Sequence, residues 1–314
     1  MKKLNHIFAL AAMTVMLTQA HAENWLTNGL VAYYPFNGDA NDASGNGKHG
    51  TAAGNYFFST NGLPFSGAIN IIGNFAEGYL GGGHVALPSF RGIISDTFTL
   101  SIWAKDEQFP VLSTEAYMVL GTEGSGGYWV RIEVGGGTDD AVTPKRIQFV
   151  VAGGPNNIGV TLTTTNLPAS FFQNWKHIVL VKDANGISGY LNGSLVSSTN
   201  VSFTLDPQSY NAIGRHWWGN GSSSSARLTA TLDDARIYNR ALSSSEVAQL
   251  YGIQTSAQVE VARAVFIRSS NLLVGTNYQV QVSGDLNTWT NYGGIFTATN
   301  SLWRSTNYCK GVGS

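Results

Sequence analysis

The sequence predicts an all-β protein, a jelly-roll sandwich closed by a short C-terminal capping helix and followed by a small β-module. Three observations predict it. Glycine is abundant, at 37 of 314 residues, while charged residues make up only 12%; this balance favours strands and tight turns over long charged helices. Short apolar or alternating runs recur from Leu30 to Tyr251, punctuated by Gly, Asn, Asp and Ser. One stretch, Thr231–Tyr251, reads instead as a strand that turns into a helix.

The first 22 residues precede this pattern. Lys2 and Lys3 give a positive start, Ile7–Leu17 is apolar, and Ala20-His21-Ala22 is a small-x-small triplet. This is the layout of a secretory signal peptide cleaved after Ala22, and its apolar run is too short to span a bilayer. No later run reaches spanning length. The predicted mature protein is secreted or held at the cell surface. Without Lys2 and Lys3 it carries 16 basic against 19 acidic residues. No basic run exists, which argues against nucleic acid as a partner. Cys309 is the only cysteine, so an intrachain disulfide and a cysteine metal cluster are both excluded.

Strand candidates then follow in order: LVAYYPF (30–36), FTLSIWAKD (98–106), YWVRIEV (128–134), RIQFVVA (146–152), WKHIVLVKD (175–183), ISGYLNG (187–193) and ATLDDARIYN (230–239). Alternation is clean in Phe98-Leu100-Ile102-Ala104 and Tyr128-Val130-Ile132-Val134. DANG and LNGSL supply tight turns. In ALSSSEVAQLY, Ser243 is the N-cap and Glu246 its capping-box partner. Val247, Leu250 and Tyr251 form the apolar stripe, and Gly252 the stop. Residues 23–252 thus form the main domain, 253–260 a polar linker, and 261–314 a small β-module with two strands around a Gly-Asp turn. The final NYCKGVGS lacks a closing hydrophobic strand, so the module reads as truncated.

The segments GLVAYYPFNGDANDASGNGKHGT, FTLSIWAKDE, NWKHIVLVKDANGISGYLNGSLVSS, NAIGR and TLDDARIYNRALSSSEVAQLY, in this order, resemble laminin-G-like jelly-roll domains of the concanavalin A-like lectin/glucanase superfamily. The resemblance covers residues 29 to 252. It implies two antiparallel sheets packed face to face, with the first and last strands adjacent and the helix sealing the sandwich end beside the terminal strand. Residues 67–90 depart from the family pattern, and nothing is carried over there.

Two constellations carry candidate chemistry. NGDANDASGN packs Asp39, Asn41, Asp42, Ser44 and Asn46 into one loop, and hard oxygen ligands at close spacing suit Ca2+. The superfamily places structural calcium where the first and last strands meet. The resemblance therefore makes Asp39, Asp42, Asn46 and Asp233 the candidate set, with Asp234 as the alternative on the last strand. Adjacent strand residues face opposite ways, so only one of the two aspartates serves. The same loop residues also make Asx-turns without metal. The second constellation is IGRHWWGNGSSSSA. There Trp217 and Trp218 offer rings to the apolar face of a sugar, and Arg215, His216 and Asn220 offer hydrogen bonds to hydroxyls. Tryptophans folded back on the core are the alternative.

Hydrolysis by glucanases of this superfamily uses Glu-x-Asp-x-x-Glu or Glu-x-Asp-x-Glu, and neither pattern occurs. No nucleophile elbow, His-Glu-x-x-His or phosphate loop occurs either. The expectation is an exported, non-catalytic binding module for a polysaccharide or glycoprotein. A cell-surface structural or adhesion protein is the alternative, and a glycoside hydrolase the third reading.

Overall fold

The computed structural model describes residues 2–4, 24–60, 62–63, 67–73, 82–106, 115–121, 127–135, 146–155, 158–208, 210–218, 223–225, 228–255, 264–270, 274–282, 290–299 and 302–308. The chain divides into two compact units, Glu23–Gln258 and Met1–Ala22 together with Val259–Ser314. No helix among the described residues is long and apolar enough to cross a membrane.

In chain order the strands are β1 (Lys2–Leu4), β2 (Leu30–Tyr34), β3 (Thr51–Ala53), β4 (Tyr56–Ser59), β5 (Ala68–Ile71), β6 (His84–Leu87), β7 (Phe98–Asp106), β8 (Glu115–Leu120), β9 (Tyr128–Gly135), β10 (Arg146–Gly153) and β11 (Ile158–Thr163). They continue as β12 (Lys176–Lys182), β13 (Gly186–Leu191), β14 (Ser194–Asn200), β15 (Asn211–Ile213), β16 (His216–Trp218), β17 (Ser223–Ser225), β18 (Ala230–Tyr238), β19 (Ala264–Ser270), β20 (Asn277–Val282), β21 (Thr290–Thr297) and β22 (Leu302–Tyr308).

The larger unit is the predicted sandwich. One antiparallel sheet runs β14-β13-β12-β7-β18-β5-β4, with β2 also paired to β18. The other runs β11-β10-β9-β8-β15-β6-β3. Their inner faces meet in one core. Phe98, Leu100 and Ile102 of β7 and Ile178 and Leu180 of β12 belong to it, as do Val130, Ile132 and Val134 of β9 and Ile147, Phe149 and Val151 of β10. Period-2 alternation alone selects these residues. Gly189 of β13 packs directly against the Phe149 ring of β10. A Cβ there would lie 2.2 Å from the Phe149 ring.

Strand β18 explains the paired aspartates. Residues Ala230–Leu232 pair with β5 and Ala235–Tyr238 with β2, while β7 lies along the other side. The register to β7 shifts between Asp233 and Arg236, and Asp234 sits at a φ of 48°. Asp tolerates this left-handed conformation better than most residues. The extra residue is a β-bulge that reverses the side-chain parity. Ala230 and Leu232 before it and Ala235 and Ile237 after it therefore all face the core. The two aspartates do not alternate as in a regular strand.

The helix Ser244–Thr255 runs three residues past Gly252 and into the predicted linker. Its capping box is formed: Ser243 N–H donates to Glu246 Oε2 at 2.7 Å, and Glu246 N–H to Ser243 Oγ at 3.3 Å. Arg240 donates to the carbonyls of Trp25 and Asn28, both at 2.7 Å, and meets Glu246 Oε1 at 2.8 Å. The sequence predicts a helix sealing the sandwich end beside an edge strand. The structure differs, because β18 is an interior strand and needs no edge protection. Val247 and Leu250 instead cover Val179, Val181, Tyr190 and Tyr238 on the outward face of the β18 sheet. Beside them, the rings of Trp103, His177 and Tyr251 stack, with centroids 5.0 and 5.5 Å from Trp103.

The smaller unit holds the predicted strand pair, β20 with β21, and a second pair, β19 with β22. Gly284-Asp285 and Cys309 lie outside the described residues. Strand β1, from the predicted leader, pairs in parallel with β20.

Two predictions follow from the layer beneath the helix. Ser243→Ala removes the cap and should cost about 1 kcal/mol, read as a lower urea midpoint at unchanged slope. His177 is fully buried, and burial first, then the Arg236 charge, lower its pKa from 6.5 to about 3. The folded chain stays neutral at His177 while the unfolded chain binds a proton below about pH 6.5. Stability is therefore lost as pH falls from 6.5 towards 3 and is level above 6.5 for this group. Between pH 7 and pH 5 the loss should be about 2 kcal/mol. Urea unfolding of wild type and His177→Gln at both pH values checks this, and equal losses in the two proteins would refute it.

Candidate functional site

The loop after β2 is organised by its own acids. Asp42 is buried, and its Oδ1 accepts the N–H groups of Tyr33 (2.9 Å) and Ser44 (2.8 Å), while Oδ2 accepts Lys48 N–H (2.9 Å). Burial works against its charge. Hydrogen bonds from the Ser44 hydroxyl and the Tyr33, Ser44 and Lys48 N–H groups outweigh burial and hold its pKa below the ordinary value. Asp39 accepts Asn41 N–H at 2.9 Å and Asn41 Nδ2 at 2.6 Å. Asn46 Nδ2 donates to the carbonyls of Leu30 (2.8 Å) and Val31 (3.1 Å). These are Asx-type turns and strand contacts.

Asp233 is engaged elsewhere. Its Oδ2 accepts Leu63 N–H at 3.0 Å and its Oδ1 accepts Asp234 N–H at 2.7 Å. The link between the first and last strands runs through Asp234, whose Oδ1 accepts the Tyr33 hydroxyl. Arg236 lies 4.1 Å above the Tyr33 ring and 3.4 Å from Asp234 Oδ1. Among the described residues, no group of three or more His, Cys, Asp or Glu that could hold a metal ion is found.

The sugar-binding candidates lie at the other sheet. Arg215 follows β15 and is buried, its Nη1 3.2 Å from Nε2 of His84 on β6. Burial first, and the Arg215 charge second, lower the His84 pKa. His216, Trp217 and Trp218 form β16, which pairs with β17 so that Trp217 stands opposite Ser224. The hairpin lies against β8. Asn220 is outside the described residues.

Three residues not singled out from the sequence share this sheet. Val130, Ile132 and Val134 of β9 face the core, so Trp129, Arg131 and Glu133 face outward. They are nonetheless buried, at 5%, 9% and 3% exposure. Arg131 Nε lies 2.9 Å from Glu133 Oε2, and its guanidinium 4.3 Å from the centre of the Trp129 ring. Val119 of β8 and Ala212 of β15 lie across the sheet from Arg131. The outward face of β9-β8-β15-β6 thus carries Arg131, Glu133, Arg215 and His84 around a floor of small side chains, next to the tryptophan hairpin. The sequence signal for the β9 residues is their alternation in YWVRIEV. That pattern reads as a solvent face and gives no warning of burial.

Such a face holds fixed donors and acceptors in a dry setting, where hydrogen bonds are strong and orientation is specific.

A search of curated proteins found no match. Domain 4 of AbnA, a GH43 extracellular arabinanase from Geobacillus stearothermophilus, solved in complex with arabinotriose, is similar over 71% of this chain and 98% of its own, with 22% identity and a TM-score of 0.50. The binding domain of Paraclostridial Mosquitocidal Protein 1 is similar over 82% of this chain, with 17% identity and a TM-score of 0.53. A structure of botulinum neurotoxin type C, which interacts with two ganglioside molecules, is similar over 83% of this chain, with 12% identity and a TM-score of 0.51. The match spans 58% of each toxin chain. At these identities the likeness is one of fold. The family model Laminin_G_3, described as concanavalin A-like lectin/glucanases superfamily, matches residues 80–248. That is more than half of the sequence, and the chain belongs to this family.

Proposed function

We propose that the jelly roll is a non-catalytic carbohydrate-binding module of an exported protein. Its ligand lies along the outward face of β9-β8-β15-β6, beside the His216–Trp218 hairpin. One observation carries the reading: Arg131, Glu133, Arg215 and His84 are gathered, buried, on a sheet face that points away from the core. Arginine and carboxylate groups together present donors and acceptors to neighbouring hydroxyls, and one of the adjacent strand residues Trp217 and Trp218, which face opposite ways, supplies the apolar surface that a sugar ring needs. The arabinotriose complex and the ganglioside-interacting toxin support the ligand class. The partner is a polysaccharide or glycoconjugate, and Met1–Ala22 is the export leader.

Calcium, by the same proposal, acts on the Asp39–Asn46 loop and steadies the sandwich from outside the sugar site. A glycan array probed in calcium and again in chelator tests both parts. The expected result is binding to a defined sugar that persists in chelator, with a lowered unfolding temperature once calcium is removed. Replacing Trp217 and Trp218 together by Ala should weaken that binding roughly 5-fold, at about 1 kcal/mol for the one ring on the ligand side, with little change in the unfolding midpoint. Silence of a folded sample across the array would move the assignment to surface adhesion. Unchanged affinity in the double variant would remove the hairpin from the site.

A further inference from the structure

Lys176 opens β12, Asp106 closes β7, and the two meet inside the sandwich. Both side chains are fully buried, with Nζ 3.0 Å from Oδ2. The Tyr117 hydroxyl donates to the same carboxylate, 2.8 Å from Oδ2 and 2.9 Å from Oδ1. Nζ also donates to the Phe172 carbonyl at 2.9 Å and the Ala104 carbonyl at 3.4 Å. The rings of Tyr117 and Phe172 flank it, each with its centre 5.6 Å away. A buried ion pair carries a desolvation cost of several kcal/mol per ion. A neutral amide in the same place carries none of that charge.

The arrangement of hydrogens favours the exchange. Two carbonyls hold two of the ammonium hydrogens, and the third points at Asp106. Passing that proton to the carboxylate leaves an amine whose lone pair faces the carboxyl group. It also leaves a carboxylic acid polarised by the Tyr117 hydroxyl. We propose that Lys176 and Asp106 join covalently in an intramolecular isopeptide bond. Nζ attacks Cγ and the C–N bond forms. The Tyr117 O–H stabilises the developing oxyanion, as a preorganised donor does in a water-excluded site. The C–O bond then breaks, and the oxygen leaves as water with the transferred proton and one amine hydrogen. The remaining hydrogen stays on the amide nitrogen. No oxidant, reductant or cofactor enters the balance.

The bond has a structural use. The unit Glu23–Gln258 contains no cysteine. A Lys176–Asp106 link closes a loop of about 70 residues, and a cross-link across a long loop restrains the unfolded chain as a disulfide does.

Intact mass of the denatured full chain tests this. Lys176→Met, expressed and processed identically, fixes the N-terminus and serves as the uncrosslinked reference. Wild type should be one water lighter than its own sequence mass, and trypsin should release residues 106–131 joined to residues 147–182. Tyr117→Phe should lower the crosslinked fraction at early times after synthesis. The wild-type and Lys176→Met masses are read after denaturation, and the Tyr117→Phe fraction is compared only in protein first isolated as folded monomer. Wild type at full sequence mass, with Asp106 and Lys176 in separate unmodified peptides, would overturn the proposal.

Discussion

The β-bulge at Asp233–Asp234 is the constraint on which the larger unit depends. All nine residues of β18 are buried, and the strand binds β7 on one side and both β5 and β2 on the other. A regular strand of this length would turn Ala235 and Ile237 away from the core once Ala230 and Leu232 faced it. One extra residue in a left-handed conformation restores the parity. The carboxylates that the bend turns away from the core are then used as anchors. Asp233 holds the backbone at Leu63, and Asp234 holds Tyr33 on the first strand. Late sequence thereby fixes early sequence, and the order of strands in the sheet follows.

This arrangement leaves the two outward faces with different fates. The face over β12, β13 and β18 is covered by the chain's own helix, whose cap and Arg240 contacts fix it over Val179, Val181, Tyr190 and Tyr238. Its polar members are absorbed internally: Ser101 Oγ lies 2.8 Å from His177 Nε2, and Thr99 bonds Arg240 and Leu242. The face over β9, β8, β15 and β6 carries the Arg131–Glu133 ion pair and Arg215 beside His84. The proposed recognition surface is the second face, because the first is spent on holding the helix.

Much of the fold is legible in the sequence because strand alternation and helix capping are local. FTLSIWAKD becomes β7 residue for residue, and the Ser243–Glu246 box forms as its spacing predicts. What is not legible depends on sheet order. Thr231–Tyr238 comes last in the domain and reads as an edge, yet the β2 and β5 segments lie beyond it. Its two aspartates read as opposite faces of a regular strand, because parity gives no sign of the bulge. The site shows the same limit. Trp217 and Trp218 announce themselves by composition. Arg131 and Glu133 look like an ordinary solvent face, since burial of an outward strand face is set by distant segments.

The central claim is that the outward face of the β9-β8-β15-β6 sheet receives a glycan. Hydrogen–deuterium exchange of the folded chain, with and without the strongest array ligand at saturation, tests it most directly. The account predicts slower exchange in β8, β9, β15 and the His216–Ser225 hairpin, with the helix Ser244–Thr255 unchanged. Protection confined to that helix or to the exposed edge strand β14, with β8, β9 and β15 unaffected, would contradict it.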